Sequence, residues 1–131
     1  MQEVLPDELE KFLHGALDPA QFRHADHIRV AFEMLRRHDF LDTARAYSNG
    51  LKALASKAGR PTAYHETITL AFLSLIAERL ALRSFRDFDS FAAVNGELMD
   101  KSVLGRWYAP ARLASEVARK TFLLPDPAHA P

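Results

Sequence analysis

Cysteine is absent from the 131 residues, so the chain forms no disulfide and offers no thiolate to a metal. Any metal it held would be bound through imidazole and oxygen. An excess of charge is missing too. Seventeen Lys and Arg balance seventeen Asp and Glu, which removes the sequence-wide basic footprint of a nucleic-acid-binding protein. No apolar run reaches bilayer length and no basic start leads into an apolar leader, so the expectation is a cytoplasmic protein without membrane attachment. Alternating apolar and polar runs are lacking, as are internal repeats and low-complexity segments, which leaves no case for strands or for a solenoid.

What is present is an ordinary globular composition, 48% apolar and 26% charged, in a chain long enough to bury a core without covalent staples. The periodicities predict an all-α single domain over residues 1–131, a bundle of four to six helices. Its core spans about 5–124, with an irregular C-terminal segment and a proline-rich tail over 125–131. A first helix over Pro6 to His14 is stopped by Gly15. Asp18 and Pro19 read as cap and first turn of a second helix running to about His38, with Glu33 and Arg37 paired on its outer face. Asp39 opens a third helix closed by Gly59, in which Asn49-Gly50 invites a kink. Thr62 is the expected cap of a fourth, nearly all-apolar helix to about Leu82, with a narrow polar strip at Thr67, Ser74 and Glu78. Asp87 or Asp89 caps a short fifth helix ending near Asn95-Gly96. Beyond it come a turn or short helix from Asp100 to Tyr108, a break at Pro110 and a short helix after Ser115.

Chemistry concentrates in two segments, Phe22-Arg23-His24-Ala25-Asp26-His27-Ile28 and Tyr64-His65-Glu66-Thr67. Wound at about 100° per residue, the first puts His24 in the middle of the apolar face with Ala25, Ile28, Ala31, Phe32 and Leu35. His27 falls at the edge of that face. Asp26 points the other way, toward Arg23 and Arg29. In the fourth helix Glu66 shares the apolar arc with Leu73, Ile76 and Leu80, and His65 flanks it beside Phe72. A carboxylate there is costly unless a cation, a metal or several hydrogen bonds compensate it. Bundles build metal sites from side chains on facing helices, and three imidazoles with a carboxylate suit Zn²⁺, Fe²⁺, Ni²⁺ or Cu²⁺. Against this, a histidine on an apolar face commonly bonds a backbone carbonyl, and adjacent residues such as His65 and Glu66 diverge in direction. No spacing matches a zinc signature such as H-E-x-x-H. His38-Asp39 repeats the dipeptide of HD-type phosphohydrolases, and Arg60 to His65 the spacing of HEPN-type ribonucleases; both read as incidental. Arg106-Trp107-Tyr108 reads either as a ligand-facing lip or as a cluster closing one end of the bundle.

The chain resembles a group of small bacterial helical proteins that carry an F-x-H-x-D-H-x-R-x-A segment, matched from Phe22 to Ala31, and a Y-H-E-T-I-T segment, matched from Tyr64 to Thr69. D-K-S-x-L and Y-x-P-x-R-L runs are matched at Asp100 to Leu104 and Tyr108 to Leu113. The resemblance spans about Asp18 to Pro125. It implies that the two histidine segments belong together and brings no activity with it.

The leading expectation is a small metal-binding protein, with an enzyme acting on a small molecule as its fullest form. His24, His27, His65 and Glu66 would hold a divalent transition metal, Glu66 acting as fourth ligand or as general base, with Arg23 and Tyr64 lining the entrance. The alternative is a non-catalytic interaction or regulatory domain in which the same histidines and Glu66 form a buried hydrogen-bond network.

Overall fold

The computed structural model describes residues 6–127; residues 1–5 and the end of the proline-rich tail, 128–131, lie outside the described residues. The architecture is all-α, as the periodicities predict, with seven α-helices joined by four short 3₁₀ turns among those residues. The helices are α1 (Asp7–Leu13), α2 (His24–Leu35), α3 (Phe40–Lys57), α4 (Glu66–Leu82), α5 (Phe88–Val94), α6 (Pro110–Leu113) and α7 (Glu116–Lys120). The three long ones, α2, α3 and α4, pack on one another, with α1 across α2 and α3, α5 on α2, and α7 on α4. None is long and apolar enough to cross a membrane.

The punctuation of the first half follows local chemistry. Gly15 and Gly59 both take positive φ, 69° and 73°, where a β-carbon would be strained, and end α1 and α3. Asp39 caps α3 by accepting from the Asp42 amide, and Asp87 caps α5 by accepting from Ser90. Glu33 and Arg37 meet at 2.8 Å, as their spacing predicts.

Elsewhere tertiary packing moved the boundaries. Asp18 caps a single 3₁₀ turn, Pro19–Gln21, and α2 begins only at His24 and ends at Leu35. The chain is extended at Arg23, whose amide is accepted by the Asp26 carboxylate at 2.8 Å. Asp26 is therefore a cap as well as the predicted ion-pair partner of Arg29, also at 2.8 Å. Phe22 explains the break: its ring leaves the helical path to stack between Phe12 and His27. Ala25, in the resulting first turn, is exposed rather than part of the apolar face. The cap of α4 is His65, not Thr62, because Pro61–Ala63 closes a separate 3₁₀ turn. Thr67, expected on the polar strip of α4, is fully buried: its hydroxyl donates to the Thr121 carbonyl and accepts from the Leu123 amide. The segment after α7 lies along that side of α4. Pro110, expected to break the chain, starts α6 at a position where no backbone donor is needed. Asn49-Gly50 does not interrupt α3, which runs on from Phe40 to Lys57. A β-carbon on Gly50 would clash with the edge of the Phe12 ring, at Cζ and Cε2, so the glycine lets α1 press onto an unbroken α3.

Ile28, Val30, Phe32 and Met34 of α2 and Leu73 and Ile76 of α4 are all at most 2% exposed and form the centre of the core. Phe32 adds a ring cluster with Phe88 and Phe91 at 5.6 and 5.0 Å. Of the Arg106-Trp107-Tyr108 group, Tyr108 is buried and donates its hydroxyl to the Leu123 carbonyl. Its phenol thus ties down the C-terminal segment.

Candidate functional site

His24 is the first residue of α2, and its ring crosses to α4, meeting Phe72 edge-on at 4.9 Å. Its Nε2 lies 2.9 Å from the carbonyl oxygen of Leu98, in the turn Gly96–Met99. A carbonyl only accepts, so Nε2 carries the proton and Nδ1 is left with a lone pair. Burial lowers the pKa of His24, and the nearby Lys101 ammonium acts in the same sense against the Leu98 hydrogen bond.

One turn on, His27 stacks on Phe22 with ring centres 4.5 Å apart. The Tyr47 hydroxyl donates to its backbone carbonyl, fixing the start of α2 against α3. Burial pushes the His27 imidazole down to about 4, with the His24 and Lys101 charges adding to the effect. Both imidazoles of α2 are therefore neutral near pH 7. A neutral imidazole offers one donor and one acceptor and can relay a proton.

His65 does something different. As the cap of α4 it accepts the Ile68 amide on Nδ1 at 3.1 Å, while Nε2 donates to the Leu113 carbonyl at 2.7 Å. Both ring nitrogens are engaged, so His65 fastens α6 to the start of α4. Glu66, its neighbour, accepts from the Tyr64 hydroxyl at 2.6 Å and lines a separate cleft with Lys52, Thr62, Arg119 and Lys120. Tyr64 stands between the two spaces and lines both. Burial and then the Glu66 hydrogen bond push its phenol well above the ordinary tyrosine value.

A cavity of about 530 Å³ opens between α2, α3, α4 and the turn Lys101–Arg106, within the roughly 300–1,000 Å³ range of small-molecule sites. His24, His27 and His65 all line it, together with Arg23 and Tyr64; Glu66 does not. Leu51 and Leu54 of α3, Ile68 and Phe72 of α4, and Leu104 supply apolar wall.

The two histidine segments thus meet at one space, but their donors do not converge on one point. Among the described residues no three His, Asp or Glu side chains are grouped to hold a metal ion. The reason lies in the donor set: His65 has no free nitrogen and Glu66 faces another cleft. Two further lining residues lay outside the predicted site. Lys101 belongs to the D-K-S-x-L run, whose role no local pattern reveals, and Arg60 appeared only through its spacing from His65. No protein-family model, curated protein or solved structure matches the chain.

Proposed function

We propose that the chain is a small-molecule-binding protein whose ligand occupies the cavity between α2, α3 and α4 and hydrogen-bonds the imidazoles of His24 and His27. One observation carries this reading. A cavity of about 530 Å³ has apolar walls and two neutral imidazoles, and no hydrogen bond from a described residue occupies the His27 ring. His27 is half-buried and lines the cavity, so its ring nitrogens are available to whatever occupies that space, a ligand or water. Sites of this make-up, mostly apolar with a few polar groups for orientation, are the usual form of small-molecule pockets.

The metal-dependent reading has weaker support, because only His24 Nδ1 and the His27 ring remain as free donors and two imidazoles are an incomplete set for Zn²⁺. The hydrogen-bond-network reading accounts for His65, and for Glu66 through Tyr64, but leaves the cavity and His27 unexplained.

Ligand-observed NMR against a set of small aromatic and aliphatic compounds tests the proposal. Ala55→Trp fills the cavity from α3, and Ala58→Trp, at an exposed lining position, does so with less risk to folding. Compounds that bind the wild type should be lost in whichever variant keeps the wild-type melting curve. Binding that survives both substitutions, or a wild type that binds nothing, overturns the proposal.

A further inference from the structure

We infer that the ligand of this cavity is an organic oxyanion on an apolar body, its charged end held by Arg23, Arg60 and Lys101. This rests on the reading of the cavity as a small-molecule site and adds the chemical class of the molecule. The cavity lining includes those three cations and three histidines, and no Asp or Glu. Seventeen acids are available to a chain of zero net charge, so an acid-free lining with three cations is a local segregation of sign.

The pairing pattern points the same way. Arg29, Arg37, Arg79 and Arg119 each find a carboxylate within 3.1 Å. Arg23, Arg60 and Lys101 form no ion pair with a described residue. They come from three separate places: the residue before α2, the α3–α4 connection, and the first residue of the turn Lys101–Arg106. Only the fold gathers them. Arg23, Arg60 and Lys101 are exposed, so solvent screens them from one another. Burial chiefly lowers the pKa of His24 and His27; the Lys101 charge adds to it, while Asp100 opposes it at His24 and Asp26 at His27. An anion beside Lys101 offsets its part.

Guanidinium groups match the planar fork of a carboxylate or phosphate, and the neutral His27 imidazole can donate to it, whereas the His24 proton is already given to the Leu98 carbonyl. Below the cationic mouth, Leu51, Leu54, Ile68, Phe72 and Leu104 exclude a bare inorganic ion as the full ligand and call for an apolar body.

The test uses matched probes: 1-naphthaleneacetate, its uncharged amide, 1-naphthyl phosphate and inorganic phosphate, titrated into the full chain by calorimetry or NMR. At least one naphthyl anion should bind roughly tenfold or more tighter than the amide, the scale of one charge-assisted hydrogen bond. Arg23→Gln, Arg60→Gln and Lys101→Gln should each weaken the anion and leave the amide unchanged. All three positions are exposed, so the variants should melt like the wild type. The tighter of carboxylate and phosphate identifies the headgroup. Amide and anions binding alike, both lost in Ala58→Trp, would overturn the anion inference while leaving the cavity as a binding site. Inorganic phosphate binding as tightly as either naphthyl anion would overturn the apolar body. No binding by any naphthyl probe would overturn both readings.

Discussion

Replacing His65 with Ala tests the structural assignment of this residue against its alternative as a metal ligand. Two hydrogen bonds disappear: the cap from Nδ1 to the Ile68 amide at 3.1 Å and the bond from Nε2 to the Leu113 carbonyl at 2.7 Å. Loss of an N-cap costs about 1 kcal/mol. The second loss strands a half-buried carbonyl, at about 1–3 kcal/mol when no water replaces the donor. The apolar part of the ring leaves a gap at the cavity wall, which water can fill, so no full cavity penalty applies. The sum is about 2–4 kcal/mol. For a chain of this size each kcal/mol shifts the melting temperature by roughly 3–5 °C, so the variant should melt about 6–20 °C below wild type.

The control is His65→Asn, since asparagine is a good N-cap but its short amide cannot reach across to α6. It should recover about 1 kcal/mol of the loss, the capping part, and no more. Urea denaturation of wild type and both variants, with chelator and again with Zn²⁺, gives the stabilities. The reasoning predicts the same order in either solution. A His65→Ala variant within about 0.5 kcal/mol of wild type in chelator would refute the bracket between α4 and α6. A stability difference that appears only with Zn²⁺ would restore the histidine as a ligand.

Two more perturbations have signs opposite to simple expectation. Gly50→Ala should gain about 1 kcal/mol of helix propensity in the middle of α3, yet the new β-carbon meets a Phe12 ring already held between Phe22 and Tyr47, each 5.8 Å away. Overpacking of about 1–3 kcal/mol should win, and a variant more stable than wild type in urea would show that α1 yields freely. The pH profile concerns His27, whose folded-state pKa lies near 4 against 6.5 in the unfolded chain. The unfolded state then binds the proton first as acid is added, so this contribution is intact above pH 6.5 and is lost as pH falls toward 4, with a limit of about 3 kcal/mol. His27→Gln should flatten the stability curve across that window, leaving the smaller slope from His24; an unchanged curve would mean that His27 is not kept neutral by the fold.

The parts of the fold that sequence reading captured are those whose cause is local. Gly15, Gly59, Asp39 and Asp87 act on residues within three or four positions of themselves, and each ends or starts the predicted helix. Where the cause is distant, the reading slipped. Asp18 is a sound cap, but whether its turn continues is decided by Phe22 stacking on Phe12 ten residues earlier. Thr67 looks polar and surface-bound until Thr121 and Leu123 return to meet its hydroxyl, more than fifty residues along the chain. Gly50 looked like a weakness of α3 because the ring it admits belongs to α1.

The same division runs through the site. Helical periodicity turned His24 and His27 toward the core, only the resemblance implied that the His65 segment belongs with them, and the structure brings all three to the same cavity. What each imidazole does there depends on its second nitrogen, and those partners lie far off: the Leu98 carbonyl is 74 residues from His24 and the Leu113 carbonyl 48 from His65. A helical wheel gives the direction of a ring and nothing about which of its nitrogens is already used. Three histidines turned toward one space therefore looked like three ligands. Once the distant carbonyls are in place, one of them is a clasp, one is anchored through Nε2 with Nδ1 free, and only His27 is left with a ring that no described residue bonds. Free nitrogens, more than histidines as such, are what a ligand would meet on entering this cavity.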